Sequence, residues 1–136
     1  MSGTLTMSTV IPDRLRKHAW RRSGIIDAHL TGSCLVQSTD AKDIDYCILF
    51  EDDDAAVSFV RECGGTVQEY QSAGEFITAR EGLYNYICTS DFKLYWRTVA
   101  FSGALELLQL ERKEDRVALA KACMDYVPKI VVGIAI

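Results

Sequence analysis

The stretch Gly32 to Phe50, GSCLVQSTDAKDIDYCILF, decides how this chain reads. It is entered from an apolar run, Gly24 to Leu30. After Gly32-Ser33, an interval of nine residues leads to Asp43-Ile44-Asp45 and a second apolar run, Tyr46 to Phe50. Side chains two apart in a strand share a face, so Asp43 and Asp45 project together while Ile44 and Tyr46 face the other way. Two neighbouring carboxylates repel one another. Such a pair is tolerated when a positive group sits between them, and a hard divalent cation that takes oxygen ligands is the usual answer. Gly-Ser alone is an ordinary turn, and Asp-x-Asp is common at the mouth of a solvated strand. The information lies in their combination between two strand candidates.

Gly32-Ser33, the nine-residue gap and Asp43-Ile44-Asp45-Tyr46 resemble the signature of the nucleotidyltransferase superfamily, which includes the polymerase beta-like and the minimal nucleotidyltransferases. The resemblance implies an α/β (α+β) fold, a nucleotidyltransferase-like mixed sheet with flanking helices in a single domain. It implies that Gly32 and Ser33 cradle the triphosphate of an incoming NTP and that Asp43 and Asp45 hold Mg2+ against it. A glycine lets backbone N–H groups approach phosphate closely, and a serine hydroxyl adds a donor. Lys42, directly before the pair, either steers phosphate or screens Asp43. The family's third carboxylate lies on a later strand, and the best-matching position is Asn85, with Glu75 or Asp91 as the alternatives in another register. An amide oxygen ligates a metal weakly and takes up no proton at neutral pH, so Asn85 departs from the catalytic pattern. The segment Asn85 to Leu110, NYICTSDFKLYWRTVAFSGALELLQL, is also similar in style to small nucleotidyltransferase-like proteins of tailed bacteriophages. That second resemblance implies a viral origin and a place in the host cytoplasm.

Composition bounds the rest. A chain of 136 residues, 49% hydrophobic and 25% charged, supports one domain with one core. A net charge of −4 argues against a protein that coats nucleic acid non-specifically, although Arg14, Arg16, Lys17, His18, Arg21 and Arg22 form a local basic patch. The five cysteines (Cys34, Cys47, Cys63, Cys88, Cys123) include no C-x-x-C pair. That excludes the usual zinc patterns and speaks against a disulfide framework. Their apolar neighbours mark most of them as reduced core residues of a cytoplasmic protein, with Cys34 the one placed to be exposed. MSGTLTMST has no secretory-signal pattern and no run reaches transmembrane length, so no membrane partner is expected.

Outward from the motif, residues 1–10 read as a flexible start, 11–128 as the nucleotidyltransferase-like domain and 129–136 as an apolar tail. Pro12 and Asp13 open a basic helix to about Arg22, which leads into the strand that delivers Gly32-Ser33 and so offers phosphate or RNA contacts. His29 reads as a structural histidine. Glu51-Asp52-Asp53-Asp54 reads as the start of a helix over Ala55 to Cys63, ended by Gly64-Gly65. Thr66 to Tyr70 alternates like a strand and Ser72-Ala73-Gly74 turns the chain. Glu75 to Arg80 and Leu83 to Thr89 then form a hairpin around Glu81-Gly82, the second strand being central. Ser90-Asp91 caps a helix from Phe92 to about Leu110, with Phe92, Trp96 and Val99 expected in the core. Tyr95 with Lys93 or Arg97 is the alternative there, as a contact for base and phosphates. A last helix, about Glu111 to Tyr126, is expected to bury Val117, Leu119, Ala120 and Cys123, and Pro128 stops it. The tail Ile130 to Ile136 is expected to dock on the sheet edge or in a partner, as a homo-oligomer or against a host protein.

Two functions follow as expectations. The first is a magnesium-dependent nucleotidyltransferase that moves a nucleoside monophosphate from NTP to a hydroxyl of RNA, protein or a small molecule. The second is a catalytically degenerate binding protein of the same fold that acts on a host or partner protein. Asn85 favours the second, and the intact Asp43 and Asp45 favour the first.

Overall fold

The fold is built around β2, Ile44–Phe50. Ile44, Tyr46, Ile48 and Phe50 enter one buried cluster while Cys47 and Leu49 enter another, so the strand is covered on both faces. The computed structural model describes residues 11–38, 43–65 and 76–125. Lys42, Glu75, the strand expected at Thr66 to Tyr70, the turn at 72–74, residues 1–10 and the tail 129–136 lie outside the described residues. β1 (Ile25–Thr31) runs antiparallel to β2, β4 (Tyr84–Thr89) parallel to it, and β3 (Ile77–Glu81) antiparallel to β4. The order is β1-β2-β4-β3, a mixed sheet with helices on both faces in a single small domain, which is the fold class the sequence predicts.

On one face lies α2, Asp53–Glu62, whose Ala56, Phe59 and Val60 pack on Ile48, Phe50, Tyr86 and Cys88. The acid run behaves as a helix start. The Asp52 side chain accepts the Ala55 N–H at 2.8 Å, and Asp53 and Asp54 occupy the positive end of the helix dipole. The hairpin forms as expected, one residue later than drawn from sequence. Glu81 pairs with Tyr84, and Gly82-Leu83 make the two-residue turn, with Gly82 at φ +64°.

The basic N-terminal helix is not continuous. Asp13–Leu15 form a single 3-10 turn, Arg16 is extended (φ −75°, ψ 143°), and α1 spans only Lys17–Ser23. Tertiary packing breaks it. Leu15 is buried in the core on the α2 side, and the Trp20 indole N–H donates to the Leu15 carbonyl at 2.9 Å, so the chain must re-aim at Arg16 to seat both.

The other face is covered by α3, Phe92–Leu108, capped by Asp91, which accepts the Leu94 N–H at 3.0 Å. Here the expected core positions are corrected. Tyr95 is 1% exposed, and Thr98, Ser102 and Leu105 are buried with it, whereas Phe92 and Trp96 are 56% and 51% exposed. Val99 is half-buried against Cys47, Leu49 and Tyr95, as expected. The helix is apolar on nearly every side, so hydrophobicity does not choose its inner face. The choice falls to Thr98 and Ser102. Their hydroxyls are satisfied within the helix by the Leu94 and Thr98 carbonyls, and Ser102 also meets Thr31 of the sheet.

α4, Lys113–Asp125, buries none of its side chains fully, and Val117 is 57% exposed. It lies against α3, where the Arg97 guanidinium donates to the Met124 carbonyl at 2.9 Å. A helix in the outermost layer has one partner, so Leu119, Ala120 and Cys123 are only half-covered.

Candidate functional site

One row of the sheet crosses all four strands: Thr31 of β1 pairs with Asp45 of β2, Asp45 with Asn85 of β4, and Asn85 with Arg80 of β3. Paired residues in neighbouring strands project to the same face. This is the α3 face of the sheet, since Asp45 alternates with Tyr46 and lies on the same side as Cys47 and Leu49. Asp43 lies in a bend just before the strand, where Arg80 of β3 reaches its carboxylate. β2 begins at Ile44, so of the two carboxylates only Asp45 is a strand residue.

Thr31 ends β1 and leads directly into a 3-10 turn, Gly32–Leu35, which carries Gly32 and Ser33 to the side of Asp45. Thr31 is buried, and Ser102 Oγ bridges its Oγ1 and the Thr98 carbonyl, 2.8 Å from each. That contact ties the root of the turn to α3. At the Ser33 carbonyl the turn closes by accepting the Val36 N–H at 3.0 Å. Gly32 has φ +78°, and a Cβ there would lie 2.6 Å from Asp45 Oδ2. The position favours glycine for its backbone conformation, and any Cβ there would displace the Asp45 carboxylate.

Asp45 is half-buried, and its pKa is raised from 3.8. Desolvation is the largest cause and the charge of Asp43 adds to it. A hydrogen bond from the Asn85 side chain and the charge of Arg80 act in the opposite direction. Arg80 also pairs directly with Asp43, its Nη2 on Asp43 Oδ1. On balance the charged form of Asp45 is disfavoured, with Arg80 as the counter-charge beside the two carboxylates.

Asn85, which the resemblance puts forward for the third position, stands beside Asp45 in register. The alternative Asp91 is engaged as the cap of α3, while Glu75 and Lys42 are outside the described residues. Arg80, Thr31 and Ser102 are the members of this cluster that the sequence reading did not single out. Among the described residues no three His, Cys, Asp or Glu side chains form a metal site by themselves.

Other candidates fall elsewhere. The basic segment flanks the opposite face of the sheet. There Leu15, Arg16, Lys17, Trp20, Leu30 and Tyr46 line an open cleft of about 480 Å3. Arg14 is bound to Glu81 at 2.8 Å and to the Glu62 carbonyl at 3.2 Å, and Arg16 to Asp13 at 2.9 Å. This segment does not line the carboxylate site. Tyr95 is removed from any contact with a base by its burial, and its hydroxyl meets His29 Nδ1 at 3.0 Å. His29 stands edge-on to that ring, and burial lowers its pKa, as befits a neutral structural histidine. Cys34 is half-buried, its Sγ donates to the Thr31 carbonyl at 3.3 Å, and burial pushes its thiol up, away from a reactive thiolate. All five cysteines are free. No helix among the described residues is long and apolar enough to cross a membrane.

No protein family, curated protein or solved structure matches this chain.

Proposed function

We propose that the chain is a small magnesium-dependent nucleotidyltransferase, which moves a nucleoside monophosphate from an NTP to a hydroxyl acceptor. The observation that carries the reading is Gly32 pressed against the Asp45 carboxylate at the head of the Thr31-Asp45-Asn85-Arg80 row. It joins a turn able to approach phosphate to a pair of oxygen ligands. The donor set suits magnesium, which binds through one or two carboxylates and completes its shell with water and substrate phosphates. Bound there, the ion supplies charge neutralisation and alignment at the transferring phosphoryl group.

The chain's own residues supply the rest. Asp43 and Asp45 provide fixed negative oxygens, and Asn85 orients Asp45 by its hydrogen bond. The Thr31–Ser102 contact holds the turn at a constant distance from Asp45. As the acceptor oxygen bonds to the α-phosphorus, the bond to the bridging oxygen breaks and pyrophosphate leaves. The acceptor's proton passes to solvent, because the Asn85 amide does not accept it.

A second reading, a catalytically degenerate binding protein of this fold, is favoured by that same asparagine standing beside Asp45 where the third carboxylate is expected. Pyrophosphate release separates the two. With Mg2+, each NTP and pooled RNA or protein acceptors, the parent is expected to release pyrophosphate in an EDTA-sensitive way. Asn85→Asp is expected to raise the rate by about 100-fold as a base is restored. NTP binding without release from either protein puts the second reading in place of the first.

A further inference from the structure

Arg80 stands at the outer end of the four-strand row, on β3, with its guanidinium on Asp43 and its charge felt at Asp45. Stability does not explain the pairing. The Arg80 and Asp43 side chains are 55% and 46% exposed, and ion pairs that open to water contribute little to folding. What the pairing does is supply a cation to two carboxylates that otherwise repel each other.

Resting on the magnesium–nucleotide reading above, we infer that Arg80 is the specificity-determining residue for the triphosphate. It holds Asp43 while the site is without a cation and turns onto phosphate oxygens when the magnesium nucleotide enters. A divalent cation on Asp43 and Asp45 repels the guanidinium and takes over its role as counter-charge. The triphosphate brings more negative charge than the cation neutralises, and a guanidinium is always charged, with a planar fork of donors that matches phosphate oxygens in pairs. Its long side chain extends from an exposed strand position and is itself 55% exposed. A nucleoside monophosphate lacks the outer phosphates and gains nothing from it.

The assignment predicts effects of opposite sign in Arg80→Gln. Mn2+ binding without nucleotide, followed by electron paramagnetic resonance on the full chain, is expected to tighten about three- to tenfold, because a competing charge is gone. Binding of a non-hydrolysable ATP analogue with Mg2+ is expected to weaken about tenfold or more, with AMP unchanged. Arg80→Lys is expected to recover part of the analogue's affinity, since it keeps the charge and loses the fork. An arginine that only braces the fold weakens metal, analogue and AMP together and lowers the Tm. That pattern, or an undiminished preference for the analogue over AMP in Arg80→Gln, overturns the assignment. If the parent binds the analogue with Mg2+ and Arg80→Gln matches it, the role of Arg80 alone is removed. If the parent binds neither metal nor analogue, the magnesium–nucleotide reading falls and this assignment falls with it.

Discussion

Gly32→Ala is expected to lose magnesium-dependent NTP binding by about 10- to 100-fold while leaving a folded protein. Two costs combine at this residue. An alanine at φ +78° is strained by roughly 2 kcal/mol, and its methyl carbon would sit 2.6 Å from Asp45 Oδ2. The carboxylate is the part that can move, so relief of the clash comes by swinging Asp45 out of place. The strain alone lowers the Tm by roughly 5–10 °C in a chain of this size. Gly82→Ala is the matched control. Gly82 has φ +64°, with nothing within 4 Å of an added Cβ, so it carries similar backbone strain and no clash. Both variants are expected to lose thermal stability, and only Gly32→Ala to lose binding. Equal binding by the two, read by calorimetry, contradicts the proposed role of the Gly32–Asp45 contact.

Asp45→Asn is expected to move stability and function in opposite directions. Burial and the neighbouring Asp43 raise the Asp45 pKa, so the folded state disfavours its ionised form. In the parent, the stability linked to this group is fully present below the ordinary aspartate pKa and is lost as pH rises through the raised one. An amide has nothing to ionise, keeps a hydrogen-bonding oxygen for Asn85, and ends the repulsion with Asp43. The variant's Tm is therefore expected to match the parent's near pH 3 and to exceed it by roughly 2–4 °C at pH 7, while NTP binding disappears. Melting curves across that range check it. A loss at neutral pH would show that Asp45 is held as a structural charge, and a gain constant with pH would show that its ionisation has no part in the effect.

The parts of the fold legible in the sequence are those that local chemistry decides. The apolar run Tyr46 to Phe50 announces a strand, Asp52 and the acids after it announce the start of α2, and Glu81-Gly82 marks the hairpin to within one residue. Asp43 and Asp45 were singled out by their spacing and Asn85 only by what the resemblance implies, and the structure sets Asn85 beside Asp45 in register. What stayed hidden depends on contacts across the chain. Arg80 lies 37 residues from the carboxylate it pairs with, and Ser102 lies 71 residues from Thr31. Nothing local in their neighbourhoods marks them. In α3 an apolar surface on nearly every side leaves the inward face undetermined until Ser102 meets Thr31 of the sheet. The break at Arg16 follows from the joint burial of Leu15 and Trp20, which helix propensity does not register. That same packing carries the basic segment to the face opposite the carboxylates, a placement that chain order does not reveal.

The most direct test of the account is NTP binding by calorimetry, with magnesium and then with EDTA, on the parent and on the double variant Asp43→Asn, Asp45→Asn. The account predicts binding by the parent that requires magnesium and is lost in the double variant, which keeps its fold. Absence of binding by the parent, or equal binding in EDTA or in the double variant, would contradict the claim that these two aspartates hold a magnesium nucleotide.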